Sequence, residues 1–158
     1  ESKSWGDFVI AKSFMFYAIL SVTTLFISGP IVDKYTSRKI LPLMNIPSLL
    51  GMFILFYFDH HISSYFLLGL MGISNGLANV LGSSTWAEIY GVKYIGSIKA
   101  LTTSMMVFST AFGTAVFGMI IDLGYPIEVI AMVSFTYILI SNVLIVIFRR
   151  KIEPVLLK

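Results

Sequence analysis

The chain has 158 residues, of which 57% are hydrophobic and only 12% are charged, and its mean hydropathy is +0.89. A soluble globular domain is typically about half apolar and about one quarter charged. This chain has more apolar surface than the core of one soluble domain of this size can bury. The surplus indicates a chain that lies in a lipid bilayer. Since the sequence contains no cysteine, disulfides, thiolate metal ligands and a cysteine nucleophile are excluded.

Five apolar stretches of the sequence are long enough to cross a bilayer as helices, which requires about 20 mostly apolar residues each. The predicted spans are residues 8–32, 40–58, 62–87, 98–121 and 125–148. Short polar connections join them, so consecutive helices are expected to lie antiparallel, with no second domain between them. The apolar runs are continuous, whereas the strands of a membrane barrel alternate between apolar and polar residues. We therefore predict an all-α, polytopic transmembrane helix bundle.

Lysine and arginine are divided unevenly between the two sides of this predicted bundle. Nine of the 11 fall on one side, and only Lys3 and Lys12 fall on the other. Positive residues concentrate on the cytoplasmic side of membrane proteins, so the chain is expected to start outside and end inside an inner or plasma membrane. The sequence begins at Glu1 without the pattern of a signal peptide. We therefore expect a fragment whose upstream part is missing.

Small and polar side chains form a face on two of the predicted spans. The first span spaces such residues three or four apart, at Ser13, Tyr17, Ser21, Thr24 and Ser28. The third span has a similar face, formed by Gly72, Asn75, Gly76, Asn79 and Ser83. Such faces either pack helices closely, as a G-x-x-x-G pattern does, or line a water-filled cavity. Packing alone is the more common role of any one such residue, but Asn75 and Asn79 favour the cavity, because carboxamides are costly against lipid. We predict that Tyr17, Ser21, Asn75 and Asn79 line an aqueous path.

Two charged side chains near the span ends each allow two interpretations. Lys12 lies about a turn inside the outer end of the first span, where it can extend to the interface or attract an anionic solute. Glu88 ends the third span, where a structural ion pair with a base such as Lys93 or Lys99 is favoured over proton coupling. Pro42 and Pro47 remove hydrogen bonds from the second span, which indicates a tolerated kink or a gating hinge.

Residue types that bind metals come together only in the turn Asp59-His60-His61. Three ligands in one tight turn do not converge easily on an ion, and the sequence has no other histidine or cysteine to complete a site. The nucleotide, serine hydrolase and zinc hydrolase motifs are also absent. We therefore predict no metal, no cofactor and no enzymatic activity. The basic residues lie in short turns, so nucleic-acid binding has no support either.

The junction after the first span reads GPIVDKYTSRK from Gly29 to Lys39. It resembles the G-x-x-x-D-[RK]-x-G-[RK]-[RK] loop of the major facilitator superfamily, which occurs between helices 2 and 3 and recurs between helices 8 and 9. Thr36 stands where the second glycine is usual, and Ser37 stands where a base is usual. The resemblance implies that the five spans are helices 8 to 12 of a twelve-helix transporter. It also implies a gating loop, formed by Gly29, Asp33, Lys34, Arg38 and Lys39.

A second stretch, from Trp86 to Gly91, then Gly96, and on from Gly113 to Asp122, is similar to helices 10 and 11 of monocarboxylate- and oxalate-type members of that family. The resemblance implies alternating access by two six-helix halves, with helices 8, 10 and 11 at the central cavity and helices 9 and 12 at the periphery. Asp33 is then expected to govern conformational exchange and not to contact the solute. The implied partners are a small solute, with organic anions favoured, a coupling ion, the lipid bilayer and a missing N-terminal half.

Two other classes of protein are alternatives to a transporter. A membrane-embedded enzyme would need a cluster of ionisable residues near the bilayer midplane, and the sequence shows none. A small structural or assembly membrane protein, complete as given, would have no upstream spans. An open reading frame that continues upstream with further spans would exclude this last alternative.

The uneven charge distribution leads to a topology prediction. In intact cells, an impermeant thiol reagent is expected to label His60→Cys, because that turn is predicted to face outward. Lys93→Cys, in a predicted cytoplasmic turn, is expected to react only after the membrane is permeabilised. Labelling of Lys93→Cys in intact cells, together with protection of His60→Cys, would reverse the predicted orientation.

Overall fold

The computed structural model describes residues 6–58 and 60–148. Every regular element in these residues is helical, in the order α1 (Asp7–Tyr35), α2 (Ser37–Ile40), a 3-10 helix (Leu41–Leu43), α3 (Ile46–Tyr57), α4 (Ile62–Tyr90), α5 (Ile95–Asp122) and α6 (Ile127–Phe148). Some residues used above, for the charge count or for the metal question, lie outside the described part of the chain: Lys3, Asp59 and the basic residues from Arg149 onward.

Five segments of the described chain are long and apolar enough to cross a membrane. They are Phe8–Tyr35, Ser37–Tyr57, Ile62–Tyr90, Ile95–Asp122 and Ile127–Phe148. The prediction of an all-α bundle with about five spans is confirmed. Many of their large apolar side chains are exposed on the bundle surface, as expected of helices that lipid surrounds.

The first span is longer than its apolar run. α1 continues through Asp33 and Lys34 to Tyr35, a stretch that hydropathy had placed in a connecting turn. A helix satisfies its own backbone hydrogen bonds, so it does not need to stop where the apolar residues end. It ends at Thr36, whose N–H donates to the carbonyl of Val32 at 3.0 Å.

The second span is broken near its start. α2 is followed by the 3-10 helix and by a turn at Met44 and Asn45, after which α3 begins. Pro42 and Pro47 each lie in the first turn of a helix, where the missing N–H of proline costs nothing. The two prolines therefore separate two helical pieces, and do not kink one continuous helix.

α1 and α4 form the most extensive helix contact in the described chain. The small polar face of α1 lies in this contact, because Ser13, Ser21 and Ser28 are all buried. The hydroxyls of Ser13 and Ser64 lie 2.9 Å apart across it. Most of the predicted polar face of the first span therefore serves helix packing.

Two glycines of α4 allow the backbones of α1 and α4 to approach closely. A Cβ atom built on Gly72 would lie 2.5 Å from the carbonyl oxygen of Tyr17. A Cβ atom built on Gly76 would lie 2.6 Å from the carbonyl oxygen of Ser21. Because these neighbours are backbone atoms, they cannot move aside as a flexible side chain could. The G-x-x-x-G pattern is a packing motif in this structure.

The remaining helices pack against α4 and against each other to different extents. α3 packs on α4, where Gly51 faces Leu67, and its other side packs on α6, where Ala131 is buried. α5, all of which the structure describes, buries no residue against the rest of the described chain. The bundle therefore has a firm part, built from α1, α3, α4 and α6, and one helix attached mainly at its ends.

Replacement of either glycine by alanine is expected to force α1 and α4 apart. Gly76→Ala should destabilise the bundle by about 1–3 kcal/mol, the usual cost of inserting a methyl group into a tightly packed contact. The unfolding midpoint of the purified protein in detergent measures this loss.

Gly82→Ala is the matched control, because a Cβ atom at this position of α4 meets nothing within 4 Å. It should leave the midpoint unchanged or raise it slightly, since alanine favours helix more than glycine does. Equal losses for Gly76→Ala and Gly82→Ala would contradict the close packing at Gly76.

Candidate functional site

A cluster of amide and hydroxyl groups lies beside the α1–α4 contact, near the middle of both spans. Asn75 donates from Nδ2 to the Ser21 hydroxyl at 3.2 Å. Asn79, one turn along α4, donates from Nδ2 to the backbone carbonyl of Asn75 at 2.8 Å. Both asparagine side chains are exposed, whereas Ser21 is buried. The cluster therefore presents amide groups to the space beside α1 and α4, and Ser21 anchors it to α1.

The opposite side of the same contact is apolar. Phe16 and Leu20 of α1 line a groove there together with Tyr65, Gly69 and Ile73 of α4, with a volume of about 350 Å³. The rings of Phe16 and Tyr65 meet edge to face, with centroids 5.5 Å apart. The polar candidates and this apolar groove thus lie on different sides of α4, because Ile73 and Asn75 are two residues apart on the helix.

A second polar cluster joins the start of the second span to the end of α4. The backbone N–H of Ser37 donates to Oε1 of Glu88 at 2.9 Å, and the Thr85 hydroxyl donates to the Ser37 hydroxyl at 3.0 Å. Nε of Arg38 lies 3.8 Å from Oε2 of Glu88, a distance for an ion pair and not for a hydrogen bond. We call these four residues, Ser37, Arg38, Thr85 and Glu88, the α2 clamp.

The family model of the Major Facilitator Superfamily matches residues 3–157, which is nearly the whole chain. The chain belongs to the Major Facilitator Superfamily. Curated proteins and solved structures give no match to it. Members of this family are membrane transporters, so this facilitator chain is a multi-pass membrane protein that functions in transport. The sequence resemblance to the family is confirmed.

In this facilitator chain, the loop signature lies partly inside a helix. Gly29, Asp33 and Lys34 belong to the last turns of α1, and both Asp33 and Lys34 are exposed. A Cβ atom at Gly29 would meet nothing within 4 Å, so this glycine is not at a close contact within the described chain. Lys39 is exposed on α2. Arg38 is the member of the signature that reaches α4, through the α2 clamp.

The position of the missing second glycine is structurally demanding. Thr36 has φ 71° and ψ 132°, and it is the single residue that joins α1 to α2. A positive φ is unfavourable for a β-branched residue, because its Cβ atom crowds the backbone, whereas glycine adopts it freely. The geometry explains why a glycine would suit this position, which threonine occupies in the present chain.

Two charged candidates have partners that differ from those considered in the sequence. Nζ of Lys12 lies 4.2 Å from the ring centroid of Phe8, one turn nearer the N-terminal end of α1. This direction, away from the amide cluster, fits a side chain that extends to the membrane surface. Glu88 lies near Arg38 and accepts the N–H of Ser37. The sequence had suggested Lys93 or Lys99 as its partner.

Several other polar groups of the described chain bond or stack with close neighbours in sequence. On α5, the hydroxyls of Thr102, Thr110 and Thr114 donate to carbonyls of their own helix, so they are not left as free donors. The rings of His60 and His61 lie 4.0 Å apart, and Nδ1 of His60 accepts the N–H of Ile62 at 3.3 Å. Within residues 6–58 and 60–148, no group of three histidine, aspartate or glutamate side chains is placed to hold a metal ion.

Two contacts that position the candidate site escaped the sequence interpretation. Ser74 accepts the N–H of Ser48 at 3.0 Å, and Thr85 reaches Ser37. Ser74 and Thr85 are both buried, on the side of α4 that faces the second span. The available signal was a second set of small hydroxyl residues on α4, at an angle to the asparagines.

The backbone of Thr36 gives a prediction for the α1–α2 turn. Thr36→Gly is expected to stabilise the protein by about 1 kcal/mol relative to Thr36→Ala, because alanine retains the Cβ atom that opposes a positive φ. The two variants lack the same hydroxyl, so their comparison isolates the backbone. Unfolding midpoints in detergent measure the difference, and equal midpoints would contradict strain at this residue.

Proposed function

We propose that this chain forms helices 8 to 12 of a twelve-helix secondary transporter, which moves a small solute by alternating access. In this assignment α1, α4 and α5 border the central path, while the second span and α6 lie at the periphery. The family match supports transport in general. The assignment to the C-terminal half rests on the loop signature from Gly29 to Lys39 and its place between the first two spans.

The observation that carries the proposal is the exposed amide cluster. Asn75 lies near the middle of the 29 residues of α4, where the bilayer is most apolar. An amide that faces lipid there without a partner would cost several kcal/mol. Asn79 donates from Nδ2 to the backbone carbonyl of Asn75 at 2.8 Å and to its Oδ1 at 3.4 Å, and both side chains keep further hydrogen-bonding capacity. Water or solute in a central path would supply the remaining partners.

Within this proposal, organic anions are the favoured solutes. The regional similarity to monocarboxylate- and oxalate-type members supports this choice. Lys12 contributes little to it, because its ammonium lies over Phe8, towards the N-terminal end of α1. The amides of Asn75 and Asn79 would donate hydrogen bonds to a carboxylate, and the positive charge that holds the anion would come from the other half of the transporter.

The gating loop, from Gly29 to Lys39, is proposed to control the conformational exchange of the transporter. Asp33 is exposed at the end of α1, far from the amide cluster along the helix, so we assign it to conformational exchange and not to solute contact. The excess of lysine and arginine at this end supports a cytoplasmic location in a plasma or inner membrane, with the first residue of the chain outside.

Water accessibility tests the proposed path. In the full-length protein, Asn75→Cys and Asn79→Cys are expected to react with a small polar thiol reagent, at a rate that solute or conformational state changes. Ile73→Cys is the matched control, because Ile73 lies on the same turn of α4 but lines the apolar groove, and it should react at least tenfold more slowly in lipid.

Asn79→Ala should reduce transport or change its selectivity without preventing membrane insertion, since alanine is more apolar than asparagine. If neither asparagine position reacts in any state, the amides serve only helix packing, and the proposed path is wrong.

A further inference from the structure

The second span is held to α4 at two separate places, one on each side of its break. On the N-terminal side of the break, Ser37 bonds with Glu88 and Thr85 in the α2 clamp. On the C-terminal side of the break, the N–H of Ser48 donates to the Ser74 hydroxyl at 3.0 Å. We call the residues between these contacts, Leu41 to Asn45, the joint.

The backbone of the joint is not continuous helix. It consists of the three-residue 3-10 helix from Leu41 to Leu43 and a two-residue turn. Pro42 and Pro47 lack the N–H groups that would continue the helical ladder through it. A segment with fewer intrahelical hydrogen bonds resists bending less than the helices on either side.

The two pieces of the span share α4 as a neighbour but differ in their second neighbour. α2 contacts the end of α1 and the end of α4. α3 packs along α4 and along α6, and Met52 and Phe53 line a groove together with Ala131 and Phe135 of α6. A movement of the C-terminal ends of α1 and α4 would therefore act directly on α2, while α3 would stay held along the body of α4 and along α6.

Asn142 of α6 provides a second observation at the level of the joint. It lies seven residues, or about 10 Å, beyond Phe135 on the same face of the helix, and α6 contacts the 3-10 helix. Its Oδ1 atom is buried, and it has no hydrogen-bond partner within residues 6–58 and 60–148. Because a buried amide oxygen without a partner loses its bond to water and gains none in return, it favours a second arrangement in which the oxygen accepts a bond.

The backbone at the start of α3 has a donor for such a bond. Of its first four residues, Ser48 donates to Ser74, Leu49 donates to the Asn45 carbonyl, and Pro47 has no N–H. The remaining N–H of these four residues is that of Ile46, at the edge of the joint. A rearranged joint would bring this N–H to the Asn142 oxygen.

We propose that the second span is a hinged element: the joint lets α2, held by the α2 clamp, move with the C-terminal ends of α1 and α4, independently of α3. This inference rests on the proposed transport function, because it assigns the independent movement to the conformational exchange of the transporter. The clamp residues are positioning residues in this scheme, and none of them contacts solute.

Distances between spin labels test the joint without knowledge of the solute. One pair, Lys39→Cys with Lys93→Cys, reports on α2 relative to the end of α4. The other pair, Phe53→Cys with Phe66→Cys, reports on α3 relative to α4, and all four side chains are exposed. The chain itself contains no cysteine, so the labels are placed in full-length protein from which cysteines elsewhere have been removed.

Thr85→Ala with Glu88→Ala removes both bonds to Ser37. We expect an additional, longer Lys39–Lys93 distance with a population raised about tenfold, as for the loss of a charge-assisted hydrogen bond, while the Phe53–Phe66 distance stays unchanged. Ser84→Ala is the matched control, because the Ser84 hydroxyl donates only to Val80 of its own helix, at 2.7 Å, and it should leave both distances unchanged.

Glu88→Gln provides a milder variant if the double variant does not fold, because the amide oxygen still accepts the Ser37 N–H while the charge opposite Arg38 is lost. It should give a smaller increase of the longer distance. If both label pairs change together, or if neither changes in either variant, the second span is one rigid element and the inference is overturned. Unreactive Asn75→Cys and Asn79→Cys would instead refute the proposed path and leave the joint intact.

Discussion

The close contact of α1 with α4 at Gly72 and Gly76 determines the positions of the other functional elements. Without Cβ atoms at these glycines, the α1 carbonyls of Tyr17 and Ser21 lie directly against the α4 backbone. This approach brings the Ser21 hydroxyl within reach of Asn75, and it sets the register in which the far end of α4 meets the turn after α1. In a membrane, where apolar surface gives no preference for protein over lipid, such close van der Waals packing is a main source of helix association.

The polar groups along α4 divide into three sets with different roles. Asparagines on one side face the space beside the α1–α4 contact, while Ser74 and Thr85 face the second span, where they bond the Ser48 N–H and the Ser37 hydroxyl. Glu88, at the end of the helix, accepts the N–H of Ser37 and lies near Arg38. One helix thus supports the candidate path, the broken span and the basic loop at the same time. α5, which the structure describes in full and which buries no residue, contributes little to this framework within the described chain.

Much of the fold was predictable from hydropathy, because five long apolar runs with short polar breaks admit few other arrangements. The face from Ser13 to Ser28 was also visible, but its role was not, since small hydroxyl residues suit both packing and water. The structure assigns most of this α1 face to packing. On α4, Asn75 and Asn79 remain exposed. The contacts of Ser37 with Thr85 and Glu88 were not predictable, because the partners are separated by 48 and 51 positions in the sequence. Such contacts depend on the helix register. Similarly, sequence recognised Thr36 as a departure from the family pattern, but only the backbone shows the positive φ that makes it unusual.

The spacing of the two glycines restricts how α1 and α4 can move relative to each other. If α4 slid by one turn in one direction, Val80 would replace Gly76 opposite the Ser21 carbonyl. If it slid in the other direction, Leu68 would replace Gly72 opposite Tyr17. Either branched side chain would collide with backbone atoms that already lie too close for a methyl group. The two glycines therefore act as a lock on the register of α1 against α4, because a shift of one turn in either direction meets a branched side chain.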